Sequence, residues 1–252
     1  MIYIPYFILN EIDQKNETAV ENMADFCKTS AVLHADKVIV QSEKMKQIYV
    51  KVLTEWQGEQ TRQKWEEKIL GLGSPKLDKV INTKKEDLEI PEDWLRIIEK
   101  PNGNWKKIIF YNTGLSAFLK DSDAYLDKVE DVLRIFKENQ EEVALLWRPH
   151  PLMLSTITSM RENLRERYMQ IVEQYCKEVW GIFDNSADLN RAIAISDAYY
   201  GDYSSVVQLF REENKAVMLQ EIKNIGLHEE VVSFECSYDD GEYLWVSEVN
   251  IN

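Results

Sequence analysis

From Thr18 to Leu33 the apolar residues Val20, Met23, Ala24, Cys27 and Val32 follow helical spacing, and Lys37-Val38-Ile39-Val40 then reads as a short buried strand. Ser42 is placed to cap a helix that runs towards Trp56 with Met45, Ile48, Tyr49 and Val52 on one face. A polar-rich helix over Glu59 to Glu67 and a strand at Lys68-Ile69-Leu70 lead into Gly71-Leu72-Gly73-Ser74-Pro75, which breaks regular structure. Residues 76–104 are charged and carry Pro91, Pro101 and Gly103, the composition of a connector with one short helix around Trp94 to Ile98.

Beyond Trp105 the alternation becomes regular. Strands are expected at Lys107–Tyr111, Val143–Trp147, Val179–Phe183, Ala198–Tyr200 and Ala216–Leu219, with helices at Ser122–Asn139, Leu154–Lys177, Ala187–Ile195 and Ser205–Glu213 between them. Such alternation indicates βαβ units and a parallel sheet. The expected organisation is a partial N-terminal Rossmann-like α/β domain over 1–75, a connector over 76–104, a nucleotide-binding Rossmann-like domain over 105–220 and a tail over 221–252. In that tail Asp239-Asp240-Gly241 predicts the turn of a hairpin.

Forty-four acidic against 30 basic residues give a net charge of −14, a field that repels nucleic acid and anionic membrane surfaces, so any phosphate site must be local. No apolar stretch is long enough to span a bilayer, and Cys27, Cys176 and Cys236 lack metal-site spacing, so no metal and a cytoplasmic location are expected. Cys27 and Cys176 fall within amphipathic helices, the usual place of a buried free thiol. His34 lies at a helix end and His228 in the acidic tail, and neither suggests catalysis. Gly71-Leu72-Gly73 lacks the third glycine of a dinucleotide fingerprint and runs into Pro75 rather than a helix, which reads as a hinge entry.

In an open parallel sheet, ligands bind beyond the carboxyl ends of the strands. Polar clusters fall at such ends at Asn112-Thr113-Gly114-Leu115-Ser116, at Arg148-Pro149-His150-Pro151 and at Gly201-Asp202-Tyr203-Ser204-Ser205. In the last of these, Gly201 permits a sharp turn, and the Ser204 and Ser205 hydroxyls with the helix N–H groups can donate to phosphate; the alternative is that Asp202 or Ser204 only caps the helix. In the second, the prolines hold His150 in a defined direction beside the forked cation of Arg148, a pair suited to a pyrophosphate; the alternative is a rigid loop with a surface histidine and an ion-paired arginine.

The Arg-Pro-His-Pro segment and Ser196-Asp197-Ala198-Tyr199-Tyr200-Gly201-Asp202-Tyr203-Ser204-Ser205-Val206, in this order of strands and helices, resemble the C-terminal half of the CDP-glycerol glycerophosphotransferases of teichoic acid synthesis. Gly73-Ser74-Pro75-Lys76-Leu77-Asp78 is similar to the segment that opens that family's inter-domain crossover. The resemblance implies a glycosyltransferase-B-like architecture and a donor-binding part of a bacterial nucleotide-activated glycerol-phosphate or sugar transferase in cell-surface polymer synthesis. It also implies a location that extends to the inner face of the membrane. The donor would be a substrate such as CDP-glycerol or a UDP-sugar, with no separate cofactor, and the acceptor a polyol phosphate or glycan.

By that resemblance Arg148, His150, Gly201, Asp202, Ser204 and Ser205 surround the donor phosphates, and His150 assists departure of the nucleotide as the catalytic candidate. Asn112, Thr113, Gly114, Ser116 and Tyr203 line the cleft. Two departures stand out. The family's His-Gly-Thr-Pro loop, which supplies a catalytic base, has no counterpart here, Ile4-Pro5-Tyr6-Phe7 being nearest in order; a partner chain supplying the rest of the N-terminal half is therefore expected. The family's acidic residue one turn after Ser205 is replaced by Gln208-Leu209, with Glu212 or Glu213 as substitutes. Two further readings stand beside this one: a non-catalytic nucleotide-binding or remnant module, and a UDP-sugar 2-epimerase-like enzyme.

Overall fold

The computed structural model describes residues 1–9, 12, 13 and 15–220 together with the strand segments 233–237 and 243–246. The chain divides into two compact units, Met1–Lys79 and Val80–Asn252.

In the first unit, β1 (Ile2–Tyr3), β2 (Lys37–Ile39) and β3 (Ile69–Leu70) form a parallel sheet in the order β1-β2-β3. Helix Glu43–Gln57 starts where Ser42 Oγ accepts the Met45 N–H, and it buries Met45, Ile48, Tyr49, Val52 and Leu53 on the expected face. Its core continues through Val20, Cys27, Val32, Val38 and Trp65. The helix expected over Thr18 to Leu33 is instead three short ones, Glu17–Asn22, Ala24–Cys27 and Ser30–His34. Thr29 takes an extended conformation, and its hydroxyl accepts the Val32 N–H, which restarts the helix.

Pro75 also departs from expectation. It opens a helix, Pro75–Asn82, because the missing proline N–H costs nothing in a first turn and its fixed φ suits one.

The second unit contains β4 (Lys107–Thr113), β5 (Val143–Pro149), β6 (Ile182–Phe183), β7 (Ala198–Gly201), β8 (Ala216–Leu219), β9 (Ser233–Ser237) and β10 (Tyr243–Val246) in the order β10-β9-β8-β7-β4-β5-β6. From β8 to β6 every pairing is parallel, whereas β9 joins β8 and β10 joins β9 antiparallel. The parallel part has the Rossmann strand order, so this unit is a Rossmann-like α/β fold. The expected Asp239-Asp240-Gly241 turn and His228 lie outside the described residues.

Both faces of this sheet are covered, which is why its strands read as nearly continuous apolar runs. Tyr111, Leu145, Trp147 and Tyr200 pack with residues of helices Ser122–Glu138 and Arg165–Glu178. On the other face Phe110 and Tyr199 meet Phe210 of helix Ser205–Glu212. Helix Glu92–Ile98, within the segment expected as a connector, buries Trp94, Ile97 and Ile98. Cys27 is buried as expected, but Cys176 is exposed, on the outer side of its helix. Among the described residues no helix is long and apolar enough to cross a membrane, and no group of three His, Cys, Asp or Glu could hold a metal ion.

Candidate functional site

Chain order along the sheet steps outward from β4 to β5 to β6, then returns to β7 on the other side of β4. Connections leaving β4 and β7 therefore diverge to opposite faces and open a crevice between their carboxyl ends, the place where ligands bind in folds of this type. Strand register sets the three polar loops side by side there, with Asn112 opposite both Arg148 and Gly201. The His150 N–H donates to Thr113 O at 2.9 Å, and the Asp202 N–H donates to Asn112 O at 3.0 Å, so the ladder extends into the loops.

Gly201 is required by this proximity. Its φ is +130°, and a Cβ there would lie 2.2 Å from Asn112 O. Beyond it, Ser204 caps helix Ser205–Glu212 by accepting the Val206 N–H, and it also accepts from Asn112 Nδ2 at 3.2 Å. The cap therefore ties the helix N-terminus to the end of β4. Ser205, Ser116 and Tyr203 are exposed at the mouth.

His150 is exposed, and its Nδ1 accepts the Leu152 N–H at 3.1 Å. That bond selects the tautomer with hydrogen on Nε2, leaving an N–H donor on the outer edge of the ring. Partial burial lowers its pKa below the ordinary imidazole value, which favours the neutral ring.

Several expected ligands have other employment. The Arg148 guanidinium is ion-paired with buried Asp184 and donates to Ser186 O at 2.6 Å, so its fork is occupied in pinning the loop after β6. Asp202, at 4% exposure, accepts the Gly114 N–H at 2.6 Å and the Tyr125 hydroxyl through Oδ2; it clamps the loop after β4 and brings a carboxylate, not a phosphate donor, to the crevice. Desolvation raises the Asp202 pKa against the opposing effects of Tyr125, Gly114 N–H and Lys128. Thr113 is buried, and its hydroxyl accepts from Trp147 Nε1, so it belongs to the core rather than the cleft wall.

Gln208, on the inner side of the capped helix, is 8% exposed, and its Nε2 has no partner among the described residues. Glu212 and Glu213 sit at the far end of that helix, about 12–14 Å from Ser204 at about 1.5 Å per residue, too distant to substitute for an acidic residue in the first turns. Sequence reasoning missed Asp184 and Tyr125. Asp184 follows β6 at its carboxyl end, so the strand-end rule reaches it; nothing in the sequence marks Tyr125, a mid-helix aromatic.

The family model described as CDP-Glycerol:Poly(glycerophosphate) glycerophosphotransferase matches residues 9–220. The chain belongs to this family. No curated protein sequence matches the chain. Among solved structures, a glycosyltransferase from Rickettsia africae ESF-5 is similar at 15% identity and a TM-score of 0.34, covering 89% of this chain and 52% of its own length. This glycerophosphotransferase-family chain thus spans about half the length of that structure. The family match runs through the β4, β5 and β7 loops of the crevice.

Proposed function

We propose that the second unit binds the diphosphate of a nucleotide-activated donor of the CDP-glycerol class, as the donor-binding part of a glycerol-phosphate transferase. The observation that supports this most is the convergence of Gly114, His150 and the Ser204-capped helix N-terminus at the switch point between β4 and β7. Oriented N–H groups and a helix dipole favour an anion there without any net positive charge.

In this reading the phosphate oxygens accept from His150 Nε2–H, from the Ser205 hydroxyl and from main-chain N–H groups of the helix start. As the bond to the departing nucleotide breaks, charge develops on a phosphate oxygen, and donors already in place stabilise it without rearrangement. His150 in its neutral tautomer acts as a donor to the leaving group, not as the base that activates an acceptor. Arg148 and Asp202 are positioning residues, the one through Asp184 and the other through Gly114. Gln208 Nε2, without a partner among the described residues, offers a hydrogen bond to the donor's ribose or glycerol hydroxyls.

Calorimetry of the full chain with CDP-glycerol, UDP-sugars and free nucleotides, beside His150→Ala and Ser205→Ala, tests the assignment. A ligand at about 100-fold excess over its dissociation constant stabilises by about 2.7 kcal/mol, which a thermal shift detects. The proposal predicts binding of the cytidine diphosphate donor, weakened in both variants. Absence of binding by every nucleotide refutes it, and binding unaffected by either substitution refutes the residue roles.

A further inference from the structure

The Gly71-Leu72-Gly73-Ser74 loop joins a parallel strand, β3, to a helix, Pro75–Asn82. With Pro75 inside the helix, the segment is a strand, glycine loop and helix, the arrangement that presents main-chain N–H groups to an anion. Gly71 lets the loop press against the start of helix Glu43–Gln57, since a Cβ there would lie 2.6 Å from the Glu43 backbone. Gly73 has a φ of +105°, so its conformation favours glycine, and no atom of the described residues lies within 4 Å of its would-be Cβ. Its N–H donates to Val40 O at 3.3 Å, tying the loop to the end of β2.

Ser74 stands immediately before this helix, is 5% exposed, and its Oγ has no partner among the described residues. A buried hydroxyl without a partner is destabilising, and a ligand oxygen would satisfy it. It lines a recess of about 10 Å³ at the carboxyl ends of β1 and β2, shared with Ile4, Phe7, Val40, Gln41 and Gly73. That volume admits one oxygen atom. Lys76, in the first turn, is half-buried with its Nζ 3.4 Å from Tyr6 O, and burial lowers its pKa. Gln41 holds the loop above by bonding both the N–H and the carbonyl of Leu9 at 2.9 and 2.7 Å.

We propose that this loop is a second anion site, in the first unit, which takes the phosphate of a phosphoester. One phosphate oxygen enters the recess and accepts from Ser74 Oγ, and the others face Lys76 and the start of helix Pro75–Asn82. The proposal stands apart from the donor site of the second unit and does not rest on it.

The test is calorimetric titration of the full chain with inorganic phosphate, sn-glycerol 3-phosphate and CMP, in the wild type and in Ser74→Ala, Lys76→Gln and Ser204→Ala. Ser74→Ala leaves no orphaned polar atom behind, so it is expected to fold, as circular dichroism would show; should it not, Lys76→Gln decides. The expected result is glycerol 3-phosphate binding weakened by about tenfold or more in Ser74→Ala and Lys76→Gln, with any loss in Ser204→Ala confined to CMP, which the donor site also takes. The compound whose binding Ser74→Ala weakens identifies the carrier. The proposal is overturned if no phosphate compound binds, if both first-unit variants bind within about twofold of wild type, or if only Ser204→Ala loses binding; the recess then holds a water at most. Failure of CDP-glycerol to bind while glycerol 3-phosphate binds through Ser74 counts against the donor site alone.

Discussion

Tyr125→Phe deletes one oxygen atom and thereby tests whether the Asp202 clamp holds the crevice together. Tyr125 is 3% exposed and donates its hydroxyl to Asp202 Oδ2, while Asp202 Oδ1 has no partner among the described residues. The variant leaves that carboxylate held by the Gly114 N–H and by the attraction of Lys128. A hydrogen bond to a charged group contributes about 1.5–3 kcal/mol. At about 2–4 °C per kcal/mol for a unit of this size, the second unit should melt roughly 3–12 °C lower.

The pH dependence sharpens the test. Desolvation raises the folded-state pKa of Asp202, and the Tyr125 hydrogen bond opposes that rise. A carboxyl whose folded pKa exceeds its unfolded value of about 3.9 binds extra protons in the native state; its contribution is present below about pH 3.9 and lost as pH rises through the folded pKa. Without Tyr125 the folded pKa rises further, so the stability gap between wild type and variant should widen from about pH 4 to pH 7. Thermal melts followed by circular dichroism across that range supply the measurement. A shift under about 1 °C, or a gap constant with pH, would show that the phenol does not hold a buried carboxylate.

Gly201→Ala should abolish folding of the second unit or cost several kcal/mol, because backbone strain at positive φ costs about 1–3 kcal/mol and overpacking about 1–3 more; near-wild-type denaturant midpoints would refute this. Val179 ends helix Arg165–Glu178 in the left-handed region, with φ 54° and 60% exposure, so Val179→Gly should raise the melting temperature by about 2–4 °C for roughly 1 kcal/mol. An unchanged or lower melting temperature would contradict it. His150 should titrate in NMR with a midpoint below about 6.5, the ordinary histidine value. A depressed histidine pKa means that the unfolded chain takes up the proton first, so stability falls as pH drops from about 6.5 through the folded value. A midpoint at or above about 6.5 removes the case for a neutral donor.

Much of this architecture is legible in the chain because periodicity is local. Lys107–Tyr111, Val143–Trp147 and Ala216–Leu219 declare themselves by apolar runs, although the first two strands continue two polar or proline-bearing residues further, and Ser42 and Ser204 mark helix starts by residue type alone. The same local rules place Asn112, His150 and Ser205 at strand ends, hence at the crevice. They mislead at Pro75, a residue read as a breaker that opens a helix, and at Cys176, whose helix turns it outward.

Partnerships between distant residues are set by register and helix rotation, which no local pattern encodes. Arg148 meets Asp184 only because β5 pairs with β6, with Trp147 opposite Phe183 one step before each. Asp202 reaches Gly114 because β7 lies beside β4, and Tyr125 joins them from a helix separated by 77 residues. A charged residue's employment depends on what folding brings within about 3 Å of it. Residue type and spacing therefore determined the sheets, the strand-end loops and the candidate donors, while tertiary packing decided which of those candidates stay exposed at the crevice and which are already held by a neighbouring strand.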